Sequence, residues 1–336
     1  MEKYLSQLNE AQLAPTIQKE GPMIVIAGAG SGKTRVLTFR IAYLMSQNID
    51  PFNILALTFT NKAAREMKSR IAHIVGDSEA KNLWMGTFHS VFAKILRFEA
   101  DRIGYPSNFT IYDTQDSDRL ISAIIKELRL DKDLYKFKQI RSRISSYKNS
   151  LITVKAYFQN PELMEADAAA RRPQLGEIYK HYVDRCFKAG AMDFDDLLVN
   201  VVRLFEAHPE VLRQYQERFQ HILIDEYQDT NQAQNRIVLM LGALHHNVCV
   251  VGDSDQSIYK FRGADLRNID QFESAFGEAT VVVLAQNYRS TQTILTAANA
   301  VISQNVGRRP KDLWTSAGDG ERIVRYFAEN EYDEAA

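Results

Sequence analysis

The sequence predicts an α/β fold built around a parallel sheet. Five short apolar runs, rich in β-branched residues, have the length of buried parallel strands; they cover residues 23–28, 54–60, 221–226, 248–253 and 281–287. Helical stretches such as TRVLTFRIAYLMSQ and NKAAREMKSRIAHIVG lie between them. Strands that alternate with helices in this way favour a parallel sheet covered by helices.

The strand pattern is interrupted between Ser90 and Phe219. This interval shows only helical segments with interleaved Tyr, Lys and Arg residues. A structureless loop of that length is implausible inside a compact domain. We therefore expect an all-helical subdomain inserted into the α/β domain.

Composition and charge are those of an ordinary globular protein of 336 residues, 45% hydrophobic and 25% charged, which is long enough for two or three domains. The formal net charge is −1, so affinity for nucleic acid must come from local clusters of basic residues. Cys186 and Cys249 lie far apart, which argues against a disulfide scaffold or a zinc site. We find neither a signal-peptide pattern nor a bilayer-spanning apolar run, and we expect a cytoplasmic protein without a membrane partner.

The first chemical motif is AGAGSGKT at residues 27–34, where the first predicted strand ends. A glycine-rich turn between a strand and a helix lets backbone N–H groups converge on phosphate. Lys33 then reaches the terminal phosphates and the Thr34 hydroxyl can bind Mg²⁺. Ala27 stands where the common pattern has glycine, but the phosphate-facing part is intact. The pattern predicts an ATP site, and the alternative is a turn that only packs a helix on a strand.

Carboxylates follow the third apolar run, in the stretch ILIDEYQDTNQAQ at residues 222–234. If this strand ends at the same sheet edge as the phosphate loop, Asp225 can hold the Mg²⁺ of MgATP. Glu226 can then orient or deprotonate the attacking water. The alternative is a pair of surface acids that cap the next helix.

A third motif, VGDSDQSIYKFRGA at residues 251–264, follows the fourth run. Gln256 can hydrogen-bond the γ-phosphate or its water, whereas Tyr259, Phe261 and Arg262 present flat faces suited to unstacked bases. One segment can therefore contact both nucleotide and single strand. The alternative is that Tyr259 and Phe261 are core aromatics.

An ordered set of segments resembles the UvrD/Rep/PcrA group of superfamily 1 DNA helicases: LNEAQ, AGAGSGKTRVL, LTFTNKAAREM, GTFHS, DFDDLL, DEYQDTNQAQ, VGDSDQSIYKFRGA and NYRS. The resemblance extends from Leu8 to Ser290 and implies ATP-driven 3′-to-5′ movement on single-stranded DNA, duplex unwinding and two RecA-like motor domains. It implies a first motor domain at residues 1–90 and 220–280, a helical insertion at 91–219 and the start of a second motor domain at 281–336.

The resemblance also implies roles for individual residues. Gln12 would read the adenine edge, Tyr288 would stack on the adenine, and Arg289 would reach the γ-phosphate. The complete implied ATP-binding set is Gln12, Gly28, Ala29, Gly30, Ser31, Gly32, Lys33, Thr34, Arg35 and Tyr288. The implied catalytic residues are Lys33, Asp225, Glu226, Gln256 and Arg289, with Thr34 and Asp225 as metal ligands.

The implied DNA-binding residues are Phe59, Asn61, Thr87, His89, Phe194, Tyr259, Phe261 and Arg262. Alternatives are that Thr87 and His89 are turn and cap residues and that Phe194 is a core aromatic. Residues 126–150 are rich in Lys and Arg with Tyr and Phe between them, which suits contacts to a DNA backbone. A solvated helical face is the alternative for that stretch.

The chain departs from the family pattern in two places. Where the family usually has Gly-Trp, this chain has Lys260-Phe261, so the stacking ring is smaller and an extra positive charge is adjacent. Beyond NYRS we find no later motif of the second motor domain before Ala336. We therefore expect this chain to be the N-terminal part of a longer helicase.

Together these observations predict an ATP-dependent DNA helicase that uses Mg²⁺ and acts on single-stranded DNA and on junctions between single- and double-stranded DNA. Its expected partners include proteins of DNA repair or replication. Three alternatives stay open: the motor portion of a helicase-nuclease, a superfamily 1 RNA helicase, and a non-motor ATP-dependent DNA-binding module.

Overall fold

The computed structural model describes residues 3–260, 263–305 and 311–335. Its strands are β1 Met23–Ala27, β2 Ile54–Thr58, β3 Trp84–Thr87, β4 Thr110–Tyr112, β5 Ala191–Asp193, β6 His221–Ile224, β7 Val248–Gly252 and β8 Thr280–Leu284. Its first helices are α1 Glu10–Ile17, α2 Lys33–Ser46, α3 Asn61–Val75, α4 Asp77–Ala80, α5 Phe88–Glu99, α6 Thr114–Glu127, α7 Phe137–Asn149 and α8 Val154–Phe158. They are followed by α9 Pro161–Ala169, α10 Leu175–Lys188, α11 Phe194–Ala207, α12 Pro209–Arg218, α13 Gln232–Gly242, α14 Arg267–Phe276, α15 Gln292–Ile302 and α16 Glu331–Ala335.

Six strands form one parallel sheet in the order β3-β2-β6-β7-β1-β8. The five strands predicted from the sequence all belong to it, which confirms the predicted fold class. The sequence does not predict β3, because WMGT has only four residues and one of them is buried. β1 lies between β7 and β8, so Val25 pairs with both Val251 and Val282.

Each face of this sheet has its own hydrophobic core. Ile24 and Ile26 pack on one face with α5, α11 and α13, whereas Met23, Val25 and Ala27 pack on the other with α2 and α3. Since helices cover both faces, every residue of β1 is buried and the strand reads as a continuous apolar run.

A third core belongs to helices alone and draws its buried residues from positions 121–186, mainly in α6, α7 and α10. α5 and α11, which fall within or overlap the predicted insertion at 91–219, pack on the sheet. β4 and β5 pair in parallel beside this helical unit. The sequence does not predict them, because strands of three residues carry no recognisable periodicity.

A buried lysine joins the helical unit to the helices that cover the sheet. Lys148 Nζ on α7 lies 2.7 Å from Asp193 Oδ2 and 2.8 Å from Asp196 Oδ1. The two carboxylates form a capping box at the start of α11 and offset the cost of burying the ammonium group. The DFDDLL motif therefore fixes how the two units meet.

The residues after β8 stay against the edge of the same sheet. Trp314 N donates to Ala285 O at 3.2 Å, and Asn287 N donates to Trp314 O at 2.7 Å. The assignment of residues 281–336 to a second motor domain stays a prediction. Within the part of the chain that the structure describes, no helix is long and apolar enough to cross a membrane.

Candidate nucleotide site and nucleic-acid groove

The glycine-rich loop lies between the end of β1 and the start of α2. Gly30 and Gly32 have φ angles of 70° and 89°, in the left-handed region that glycine adopts without strain. A Cβ on Gly32 would lie 2.7 Å from Gln12 Nε2, so the loop also has no room for a side chain there. No side chain caps the N-terminus of α2, which leaves its first N–H groups and the positive end of its dipole for an anion.

Gln12 holds this loop against α1. Its Nε2 donates to Ser31 O at 2.9 Å, and its Oε1 accepts from Asn9 N at 3.3 Å. The side chain is buried, whereas Arg35 in the first turn of α2 is exposed. The Gln12 amide hydrogen-bonds the loop in this structure, and its predicted contact with adenine stays a prediction.

Lys33 and Glu226 meet at the carboxyl edge of the sheet. Lys33 Nζ lies 2.7 Å from Glu226 Oε2 and 2.9 Å from Oε1. Glu226 directly follows β6 and has a φ of 50°, a left-handed conformation that is strained for a residue with a Cβ. The structure thus brings the predicted phosphate-binding lysine and the predicted water-activating carboxylate into contact.

Asp225 is buried at the end of β6. Its N donates to Leu57 O at 3.0 Å, and its Oδ1 accepts from Glu226 N at 3.0 Å. Burial, reinforced by the adjacent Glu226 charge, raises the pKa of Asp225 to about 6. A cation bound here would offset both effects, so the site fits Mg²⁺ electrostatically. Thr34, the other predicted ligand, lies in the first turn of α2 at the same sheet edge.

Gln228 connects this carboxylate pair to the loop after β7. Its Nε2 donates to Glu226 Oε2 at 2.7 Å, and its Oε1 accepts from Asp253 N at 2.9 Å. Gln256 Nε2 in turn donates to Asp253 Oδ2 at 2.5 Å. A continuous hydrogen-bonded path therefore joins two predicted catalytic residues, Glu226 and Gln256.

Asn287 fixes the NYRS turn beside the phosphate loop. Its Oδ1 accepts from Arg289 N at 2.8 Å and from Ser290 N at 2.7 Å, a side-chain turn typical of asparagine. Its Nδ2 donates to Ala29 O at 2.5 Å. The turn is therefore held by its own asparagine and by the loop that it faces.

The two exposed side chains of this turn lie where the sequence predicts nucleotide contacts. Tyr288 N donates to Gly30 O at 2.9 Å, and Tyr288 OH accepts from Asn9 Nδ2 at 2.7 Å. The Cβ of Arg289 lies 2.8 Å from the position that a Cβ on Gly30 would take. Their adenine and γ-phosphate contacts stay predictions.

A second concave region of about 1080 Å³ lies between the sheet and the helical unit. We call it the nucleic-acid groove; its lining is drawn from residues within positions 58–60, 87–89, 138–149, 229–234 and 259–260, together with Arg172, Asp195 and Gly263. The structure thus brings together four predicted DNA contacts, Phe59, Thr87, His89 and Tyr259. Asn61 is not among the lining residues, and Phe261 and Arg262 lie outside the described residues.

For Thr87, His89 and Phe194, the sequence leaves open both a DNA contact and a purely structural role. Thr87 Oγ1 accepts from Ser90 N at 3.2 Å, so this residue caps α5 while it also lines the groove. Phe194 is 51% exposed, which makes the core alternative wrong. Its ring meets the His89 ring edge to face at 6.0 Å, and burial lowers the pKa of His89. The pair is therefore an uncharged aromatic surface near the groove.

The basic stretch at 126–150 divides between two surfaces. Arg141 and Arg143 line the nucleic-acid groove, whereas Lys126 and Lys132 line a separate groove on the helical unit. Lys138 borders both grooves. Only part of the stretch therefore lies in the groove, and its contact with DNA stays a prediction.

A family model described as the UvrD/REP helicase N-terminal domain matches residues 8–277. The chain belongs to the UvrD/REP helicase family. The model of the UvrD-like helicase C-terminal domain matches residues 282–336.

Curated relatives agree with this assignment. The ATP-dependent DNA helicase PcrA of Staphylococcus aureus (strain NCTC 8325 / PS 47) is 48% identical over 337 aligned residues, which cover all of this chain and 45% of the relative. PcrA of Staphylococcus epidermidis (strain ATCC 12228 / FDA PCI 1200) is 47% identical over the same extent. The chain therefore spans about half the length of these relatives.

Sequence reasoning missed several residues that build the nucleotide site of this UvrD/REP-family chain. Asn9, Gln228 and Asn287 lie within or beside the motifs, and each orients a neighbouring predicted residue. Their position inside LNEAQ, DEYQD and NYRS was the available signal. Amides with no charge suggest no chemistry until their partners are known.

Proposed function

We propose that this chain is the ATP-hydrolysing part of a DNA helicase that couples hydrolysis to 3′-to-5′ movement on single-stranded DNA and to duplex unwinding. The observation that carries the proposal is that two loops each serve both sites. The loop after β6 supplies Glu226 at the phosphate loop and Asp229 in the nucleic-acid groove. The loop after β7 supplies Gln256 on the side of the nucleotide site and Tyr259 in the nucleic-acid groove.

The chemistry follows from the residues at the sheet edge. Lys33 exchanges its contact with Glu226 for the terminal phosphates of ATP, which frees the carboxylate to accept a proton from the attacking water. Asp225 and Thr34 would hold Mg²⁺, which supplies charge neutralisation at the phosphate oxygens. Gln256 and Arg289 stabilise the charge that develops on the transferred phosphoryl group.

The shared loops are the mechanical link to DNA. A shift of the β6 loop when Lys33 leaves Glu226 moves Asp229, and a shift of Gln256 toward the phosphate moves Tyr259. The groove offers aromatic rings for stacking and Lys138, Arg141 and Lys260 for phosphates. Single-stranded DNA and its junctions with duplex are thus the proposed substrates, in cytoplasmic DNA repair or replication.

The test is strand displacement by the full-length gene product that carries these 336 residues. Duplexes with a 3′ or a 5′ single-stranded tail, in DNA and in RNA, are compared with MgATP present. The proposal expects displacement from the 3′-tailed DNA and its loss in the Glu226→Gln variant. Displacement of RNA alone, or equal displacement without ATP, would contradict it.

A further inference from the structure

Lys311 is a buried lysine at the loop that carries Gln256. Its side chain is 3% exposed, and its Nζ lies 2.6 Å from Asp255 Oδ2 and also pairs with Asp253 Oδ1. The Asp253 side chain is 2% exposed. The ammonium group therefore sits between two carboxylates that water reaches poorly.

Asp253 connects Lys311 to the nucleotide site through hydrogen bonds. Its second carboxylate oxygen accepts from Gln256 Nε2 at 2.5 Å, and its backbone N–H donates to Gln228 Oε1 at 2.9 Å. Gln228 Nε2 donates to Glu226 Oε2 at 2.7 Å. One path of hydrogen bonds thus runs from Lys311 to the two residues proposed to meet the γ-phosphate and the water.

Lys311 is anchored on the segment that follows β8. Two residues further on, Leu313 exchanges hydrogen bonds with Asn299 of α15, at 3.2 Å from Leu313 N and 2.9 Å to Leu313 O. Trp314 pairs with the backbone around Gln286 beside the NYRS turn. Any displacement of this segment from the sheet edge therefore pulls on the Asp253 loop.

We propose that Lys311 is a positioning residue that holds the Asp253 loop in place, so that Gln256 is aimed at the phosphates only while the segment after β8 lies against the sheet. This role rests on the proposed ATP hydrolysis. Without the ammonium group, Asp253 and Asp255 become adjacent carboxylates with less compensation, and the loop relaxes toward water. Gln256 then loses its fixed acceptor.

The first measurement needs no ATP turnover. Amide hydrogen exchange of this chain is followed in residues 252–257 for the wild type, Lys311→Met, Lys311→Arg and the control Lys188→Met, whose lysine is exposed on α10. Lys311→Met should speed exchange of the loop by about tenfold or more, because its anchoring contact is gone. Lys311→Arg should stay near the wild type, and Lys188→Met should leave exchange of residues 252–257 unchanged.

The second measurement is the ATP turnover of the full-length gene product at saturating DNA. Lys311→Met should lower kcat by about 10- to 100-fold, as expected when a catalytic group is misplaced by about 1 Å, while KM for ATP changes by less than about twofold. In a Gln256→Ala background the same substitution should cost less than about twofold, because its route to the phosphate has been removed. Lys311→Arg should recover most of the loss.

The outcomes separate the two proposals. Unchanged loop exchange in Lys311→Met overturns the positioning role, and so does an equal loss of kcat in both Gln256 backgrounds. A wild-type protein that turns over no ATP overturns the proposed function, while the exchange measurement still decides whether Lys311 holds the loop.

Discussion

The nucleotide site and the nucleic-acid groove are built in opposite ways. At the nucleotide site, Lys33, Glu226, Gln228 and Asp253 form successive contacts of 2.7 to 2.9 Å. The groove instead collects single side chains from separate segments of the sheet unit and the helical unit, around a volume of about 1080 Å³. The proposed function therefore makes the first region depend on a few fixed contacts and the second on many weak ones.

This difference matches what each ligand requires. A transferring phosphoryl group needs donors and a carboxylate fixed at one point, because electrostatic stabilisation falls steeply with misplacement. A DNA strand spreads its charge and its bases along a track, so contacts of modest strength add up. We therefore expect single substitutions to have large effects at the nucleotide site and small effects in the groove.

The largest effect is expected from Glu226→Gln in the full-length gene product. The amide keeps the shape of the side chain but cannot accept the proton of the attacking water, so turnover should fall by about two or more orders of magnitude. MgATP affinity, measured by fluorescence of a labelled nucleotide, should be nearly unchanged. Lys33→Ala serves as the contrast, because it should weaken affinity and turnover together. Wild-type turnover in Glu226→Gln would remove this residue from the mechanism.

A smaller effect is expected from Phe261, which lies outside the described residues. Phe261→Ala should cost about 1 to 3 kcal/mol of single-strand affinity, the usual worth of a base stacked on an aromatic ring. Phe261→Trp should hold or strengthen binding, because the larger ring offers more stacking area. If Phe261→Ala binds single-stranded DNA like the wild type with its fold intact, Phe261 belongs to the core.

Lower pH should change the two binding affinities in opposite directions, that of the nucleotide site for MgATP and that of the groove for single-stranded DNA. Burial, then the Glu226 charge, raises the pKa of both Asp225 and Asp229 to about 6, above the ordinary value of 3.8. The folded chain therefore binds these protons at a higher pH than the unfolded chain does. Their binding raises the free energy of unfolding as the pH falls through about 6. Between about pH 7.5 and 5.5, MgATP affinity should fall because Asp225 loses its charge. Single-strand affinity should rise a few-fold because two carboxylates that line the groove lose theirs: Asp229, and Asp195, whose pKa burial raises to about 6. Asp229→Asn should weaken the pH response of DNA binding, with Asp195 still titrating, and leave the pH response of MgATP binding unchanged. A wild type whose two affinities fall in parallel would contradict this difference between the regions.

The smallest effect is expected from Lys138→Ala in the groove. Lys138 is exposed on α7 and lines the groove, so its loss should weaken binding to every sequence a few-fold. The slope of log affinity against log salt should become shallower by about 0.7, as for one lost single-strand phosphate contact. Lys138 also borders the other groove of the helical unit, so Lys132→Ala, which changes a lysine of that other groove that does not line the nucleic-acid groove, is the matched control and should leave the slope unchanged. A wild-type slope in Lys138→Ala would show that Lys138 does not contact DNA.

The two regions also differ in how far the sequence predicts them. The phosphate loop and the carboxylate pair follow buried strands directly, so their meeting at one sheet edge follows from parallel topology. The groove depends on how the helical unit docks, which Lys148, Asp193 and Asp196 fix through buried ion pairs. No local sequence pattern predicts such ion pairs. The sequence does not predict the contacts of Lys311 either, since its partners lie more than fifty positions away.

The two shared loops are the proposed link between ATP hydrolysis and DNA, and stimulation of ATP hydrolysis by DNA tests that link most directly. Steady-state turnover of the full-length gene product is measured with and without single-stranded DNA, for the wild type and for Tyr259→Ala. DNA should raise wild-type turnover by about tenfold or more, and Tyr259→Ala should lose most of this stimulation while its DNA-free turnover is unchanged. Wild-type turnover that DNA does not raise, or full stimulation by DNA in Tyr259→Ala, would contradict a link through these loops.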